Sequence, residues 1–123
     1  MKSTDAELGL IARLVVVLSA LTGQLRAAVN EINDANVGAI VSVRHICRLI
    51  GYVSDAIAAA KAGNDTPSER SRVVGGLLGR LKQLEDDEQL RLNTRSAASA
   101  QTELAITSAA IAQILAVTAE EAA

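Results

Sequence analysis

The chain has 123 residues, half of them apolar, with one Tyr, no Phe or Trp, and a formal net charge of -2. This length suits one domain with a modest core. Because the basic residues are scattered and have no aromatic stacking partners, the composition predicts no nucleic-acid partner. An aliphatic, Ala-rich interior suits close helix packing better than a ligand pocket, so we also expect no cofactor.

The first predicted helix covers about residues 5–31. Its apolar residues recur at steps of three and four, as on one stripe of an amphipathic helix. Thr4 and Glu7 form a capping-box pattern at its start. The polar residues in the segment 33–38 weaken helix propensity after it. The stripe consists of Ile11, Leu14, Leu18, Leu21, Leu25, Ala28 and Ile32.

The second predicted helix, about residues 35–61, carries an apolar seam with the same spacing. A GNDTP segment then gives the clearest break in the chain. Gly63 in that segment predicts a left-handed C-cap. Thr66, followed by Pro67, predicts an N-cap and a second capping box with Glu69. The seam consists of Ala39, Val43, Ile46, Ile50, Val53, Ile57 and Ala60.

The third and fourth predicted helices cover about residues 67–91 and 94–119. In the third, Gly75 and Gly79 form a small-xxx-small pair that predicts close contact with another helix. An acidic run at 85–88 lies near the end of that helix, where acidic groups oppose the helix dipole, and we interpret it as a solvated bend. The stripes are Val74, Leu77, Leu81 and Leu84 in the third helix and Ala97, Ala100, Leu104, Thr107, Ile111 and Ile114 in the fourth.

Four helices of similar length with short links predict an all-α protein, an antiparallel four-helix bundle that forms a single domain over residues 1–123. The alternative is a long two-helix hairpin that turns at residues 62–67 and packs in an oligomer. In that alternative the GNDTP segment is the one true turn, and each half of the chain is a continuous helix.

Helices 1 and 4 carry more apolar surface than one stripe requires. Residues 14–21 are apolar nearly all round, and residues 96–118 contain one charge, Glu103. A monomer would leave these faces as patches that soluble monomers rarely tolerate. We therefore predict a non-enzymatic bundle that acts as a homo-oligomer or binds a helical protein partner, as a structural subunit, scaffold or small adaptor or chaperone. The predicted interface residues are Val15, Val16, Val17, Ala98, Ala105, Ala109 and Ala112.

His45 is the only histidine, and it projects off the apolar seam, so we expect it to be at least partly exposed. With Arg48 three positions later on a helical bundle, it resembles the histidine-phosphotransfer domains and the dimerisation helices of sensor kinases. The resemblance implies that His45 accepts a phosphoryl group whose charge Arg48 steadies. It covers only residues 45–48 and the helical layout. Leu49 and Ile50 stand where those domains typically have a lysine–glycine pair.

The remaining functional classes are a metal centre and a membrane protein. Glu85 and Glu88 have helical spacing but lack the histidines of a Glu-x-x-His dimetal site, so we expect no metal centre. Lipid or membrane-surface binding by an opened bundle is a third hypothesis, although no uncharged stretch reaches the roughly 20 residues that span a bilayer. Cys47 is the only cysteine, so no disulfide can form within one chain, which favours a reducing, cytoplasmic compartment. We expect its side chain to be a small packed hydrophobe.

Overall fold

Four helices make up the structure, a computed structural model that describes residues 5–33 and 38–119. Within those residues there is no β-strand. The helices pack side by side, which confirms the four-helix bundle and overturns the two-helix hairpin. The predicted capping box of Thr4 and the Glu7 side chain lies outside the described residues, as do positions 34–37 of the first link. The helices are α1 (Asp5–Asn30), α2 (Gly38–Ala62), α3 (Pro67–Arg91) and α4 (Ala97–Val117).

The helices α2 and α4 lie at the centre of the bundle. Each of them contacts all three other helices, whereas α1 and α3 barely touch each other. The cross-section is therefore a rhombus with α2 and α4 on its short diagonal. A helix in that position buries a wider arc than one seam, because neighbours cover it from three directions.

The buried residues follow the predicted stripes, but in α1 and α2 the buried face is rotated about the helix axis relative to the predicted one. In α3 the predicted stripe is buried throughout. In α1 the core face includes Val17, and in α2 it includes His45, Leu49 and Ala56, while the predicted Val43 is only half-buried. The buried face of α2 is rotated because this helix is central. The sequence prediction assumed one buried seam, whereas α4 covers a further side of α2.

The link between α2 and α3 forms the predicted N-cap but not the predicted C-cap. Thr66 Oγ1 accepts a hydrogen bond from the Glu69 backbone N–H at 3.1 Å. The Glu69 carboxylate pairs with Arg72 instead of closing the capping box. The left-handed backbone position belongs to Asp65, with φ 54°, and not to Gly63. Gly63 instead leaves room, because a Cβ there would lie 2.7 Å from the Glu69 side chain.

A buried arginine joins the start of α1 to the end of α4. Gly9 interrupts α1 with φ 77° and ψ 168°, a conformation that is almost confined to glycine. Arg13 donates to the Gly9 carbonyl at 3.1 Å and to the Val117 carbonyl at 3.0 Å. A cation at a helix C-terminus satisfies carbonyls that have no partner within the helix. The contact fixes the two helices at that end of the bundle.

The prediction of a packed Cys47 is wrong, and the close helix contact predicted for Gly75 and Gly79 does not occur within one copy among the described residues. Gly75 and Gly79 lie on the exposed face of α3, and a Cβ at either position would meet no atom within 4 Å among the residues that the structure describes. Cys47 is exposed rather than packed. Gly75, Gly79 and Cys47 all lie outside the buried faces of their helices.

Candidate functional site

A polar cluster lies buried between α2, α3 and α4. His45 Nε2 lies 2.6 Å from Thr107 Oγ1 and 3.1 Å from Glu88 Oε2. The Thr107 hydroxyl donates to the same Glu88 oxygen at 3.1 Å. His45 is 3% exposed, and Glu88 and Thr107 are fully buried. The expectation that His45 is at least partly exposed is therefore wrong.

Each member of the cluster sits on the core face of its helix. Glu88 follows Leu81 and Leu84 at steps of three and four, so it occupies the next core position of α3 rather than a solvated bend. Thr107 lies on the predicted stripe of α4, and His45 lies on the wide buried arc of α2. Sequence reasoning missed the cluster because it treated the acidic run as one solvated group. The spacing that continues the leucine stripe was the available signal.

Burial sets the electrostatics of the cluster. Removal from water lowers the pKa of His45 and raises the pKa of Glu88, and in each case it is the largest cause of the shift. Both shifts favour the neutral forms. Glu88 Oε1 finds no hydrogen-bond partner within residues 5–33 and 38–119. A buried carboxylate oxygen without a partner lowers stability, so the position of this atom requires an explanation, such as a bound ligand.

A second carboxylate and a cavity adjoin the cluster. Glu103 of α4 is half-buried and pairs with Arg91 at the end of α3. One donor atom each from His45, Glu88 and Glu103 lies within 4.8 Å of the others. A cavity of 140 Å³ opens beside them. Its lining consists of Val41, Arg44, His45, Arg48, Ser99 and Glu103.

This geometry does not suit nucleophilic catalysis. In a serine-type relay the carboxylate binds one ring nitrogen and the hydroxyl binds the other. Here Glu88 and Thr107 both approach Nε2 of His45. The geometry is also unfavourable for phosphoryl transfer. Although Arg48 and His45 line one cavity, the Nε2 atom of His45 contacts the buried Glu88 carboxyl group and the Thr107 hydroxyl.

The outer surfaces of α1 and α4 form the second candidate site. Val15 and Val16 are 43% and 54% exposed. Val17 is fully buried, so its place among the predicted interface residues is wrong. It follows Leu14 by three residues and precedes Leu21 by four, which puts it on the core face of α1. The four predicted alanines of α4 are all exposed: Ala98, Ala105, Ala109 and Ala112.

These two outer faces carry almost no charge. Among the exposed residues that the structure describes, α4 has no charged residue and α1 has only Arg26, whereas α3 has five. Gly9–Asn30 and Ala97–Val117 are long and apolar enough to cross a membrane, judged by length and composition alone. Only 28% and 22% of their most apolar windows are buried inside the bundle. Core helices of soluble proteins and signal sequences near an N-terminus pass the same test, so length and composition do not by themselves indicate a membrane protein.

No family model, curated protein or solved structure matches the chain. The structure brings the predicted pair His45 and Arg48 to one cavity, and it leaves Val15, Val16 and the α4 alanines on the outer faces of two neighbouring helices.

Proposed function

We propose that the chain is a non-enzymatic helical bundle that acts by self-assembly, as the structural subunit or scaffold of a homo-oligomer. The observation that supports this proposal is the exposure of two apolar, nearly uncharged helix faces on α1 and α4. Soluble monomers rarely leave such faces in water. The occupant that we propose for them is a second copy of the same chain.

A second copy offers chemistry that matches these faces. Ala98, Ala105, Ala109 and Ala112 present small side chains, which let two helix backbones approach closely. The 21 residues of α4 span about 32 Å, and a helix is about 10 Å wide. The outer side of α4 is therefore a strip of about 32 Å by 10 Å, and the α1 face lies next to it because α1 and α4 are in contact.

Insertion of α4 across a membrane fits the structure less well. Glu103 pairs with Arg91 of α3, and Thr107 bonds to Glu88. Insertion would break both contacts and move the Glu103 carboxylate into hydrocarbon, at a cost of about 3 kcal/mol. Assembly with a second copy leaves both contacts intact.

Binding to a lipid surface is the second candidate function, supported by the length and apolar character of α1 and α4. Co-sedimentation with liposomes tests it. Binding that is lost in a Val16→Lys variant would support this candidate, and a chain that stays in the supernatant at every lipid concentration would eliminate it.

Charged substitutions on the two faces test self-assembly. Val16→Lys and Ala109→Glu each place a charge in the proposed interface, where it would be desolvated without a partner. We expect each to weaken association by about 100-fold or more, which sedimentation equilibrium measures. In a symmetric dimer each substitution appears twice in one interface.

The matched control is Gln83→Lys, which adds a charge to the exposed, already charged face of α3. We expect this variant to keep the solution mass of the unmodified chain. Far-UV circular dichroism should show the same helix content in all variants, because the substituted positions are exposed in a single copy. Unchanged mass in both Val16→Lys and Ala109→Glu would contradict the proposal.

A further inference from the structure

Three helices supply a set of metal-binding donors at one end of the bundle interior. His45 comes from α2, Glu88 from α3 and Glu103 from α4, and one donor atom of each lies within 4.8 Å of the others. His45 Nε2 and Glu88 Oε2 are 3.1 Å apart. Two ligands of a tetrahedral zinc ion are separated by roughly 3.3 Å, given metal–ligand bonds of about 2.0 Å. The His45 ring and the Glu88 carboxylate are therefore close enough to bind one ion. Because Thr107 donates to Oε2, Glu88 would bind the ion through Oε1, and His45 Nε2 would give up its 2.6 Å contact with Thr107 Oγ1. Glu103 needs a side-chain adjustment to complete the set.

An independent observation points to a cation at this place. Glu88 is fully buried, and its Oε1 atom has no hydrogen-bond partner among the described residues. Buried polar atoms nearly always have a partner, and a metal ion is one that a carboxylate oxygen accepts. Thr107 bonds to the other oxygen of Glu88 and would orient the carboxylate as an outer-shell partner does.

The surroundings leave room for an exchangeable ligand. The cavity of 140 Å³ has His45 and Glu103 in its wall, so the ion would be reachable from outside the bundle. Arg91 holds Glu103 by one carboxylate oxygen and orients it. Arg44 and Arg48 also line the cavity. Two arginines beside a metal ion favour an anion as its exchangeable ligand.

The donor set determines the class of metal. One imidazole nitrogen and two carboxylate oxygens, without sulfur, suit zinc and the neighbouring divalent transition metals. Calcium would require six to eight oxygen ligands, which these residues do not supply. We propose that His45, Glu88 and Glu103 bind one divalent ion of the zinc class, with an open coordination position that faces the cavity.

Titration of the unmodified protein with ZnCl₂ in a calorimeter tests the proposal, and the absorption of bound Co²⁺ reports the coordination. We expect one ion per chain, a visible Co²⁺ spectrum typical of nitrogen and oxygen ligands, and a higher thermal midpoint with zinc. The site lies inside one copy, so binding should not depend on the state of assembly.

His45→Gln and Glu103→Gln should each weaken zinc binding by at least about 100-fold and abolish the Co²⁺ spectrum. Glu103 is only half-buried, so Glu103→Gln remains informative if His45→Gln does not fold. Asp87→Asn is the matched control, because it removes one exposed acidic charge beside Glu88 and should bind zinc like the unmodified chain. Absence of binding by the unmodified chain, or equal binding by Glu103→Gln, would overturn the proposal.

Discussion

Replacement of Gly75, Gly76 and Gly79 by alanine is expected to stabilise the bundle. All three lie within α3 on its exposed face, and a Cβ at each would meet no atom within 4 Å in the part of the chain that the structure describes. Glycine inside a helix costs about 0.5–1 kcal/mol relative to alanine, chiefly because the unfolded chain has more freedom to lose. The triple variant should therefore gain roughly 2 kcal/mol of unfolding free energy. For a domain of this size that gain corresponds to a rise of about 8 °C in Tm.

Thermal unfolding followed by far-UV circular dichroism measures this gain. Gly9→Ala is the matched comparison, because a Cβ there also meets no described atom within 4 Å, but the backbone has φ 77°. That variant should be less stable than the unmodified chain by about 1 kcal/mol or more. An unchanged or lower Tm for the triple α3 variant would refute the reasoning. If that loss were accompanied by dissociation, the glycine face of α3, and not α1 and α4, would be the interface.

Three further predictions concern a cap, an ion pair and the core. Thr66→Ala removes the N-cap of α3 and should lower the unfolding free energy by about 1 kcal/mol in urea titrations. The hydrogen bond from Lys82 lowers the pKa of Glu85 from its ordinary 4.5, so the stability that this pair adds is present above that pH and is lost as the pH falls. Glu85→Gln should accordingly show a smaller loss of unfolding free energy than the unmodified chain between about pH 5 and pH 3. Val17→Lys buries a charge in the core and should abolish the cooperative thermal transition. Val16→Lys, at the exposed neighbouring position, should keep that transition.

The sequence predicts where the helices begin and end better than it predicts which face of each helix is buried. Apolar spacing and the GNDTP break place α3 at Pro67–Arg91, which is the predicted range, and the other helices begin and end within three residues of their predicted limits. Which face of a helix is buried depends on how many neighbouring helices cover it. A projection of one seam assumes one covered side, whereas α2 is covered by three helices and buries His45 as a result.

The candidate sites show the same difference between local and tertiary information. Exposure of Val15 and Val16 agrees with the excess of apolar residues on α1, which is visible in sequence. The His45–Glu88–Thr107 cluster joins residues up to 62 positions apart, so it requires the packing of three helices. Chain spacing alone showed only that Glu88 continues the leucine stripe of α3. A charged residue on a core stripe is the sequence signal that merits a search for buried partners on neighbouring helices.

Sedimentation equilibrium of the unmodified chain, over a concentration series in detergent-free buffer, tests self-assembly most directly. If the α1 and α4 faces bind a second copy, the measured mass at micromolar concentration will be a multiple of the 12.8 kDa chain. A mass of 12.8 kDa at every concentration up to about 1 mM would contradict the proposal, because an interaction weaker than that supplies only about 4 kcal/mol.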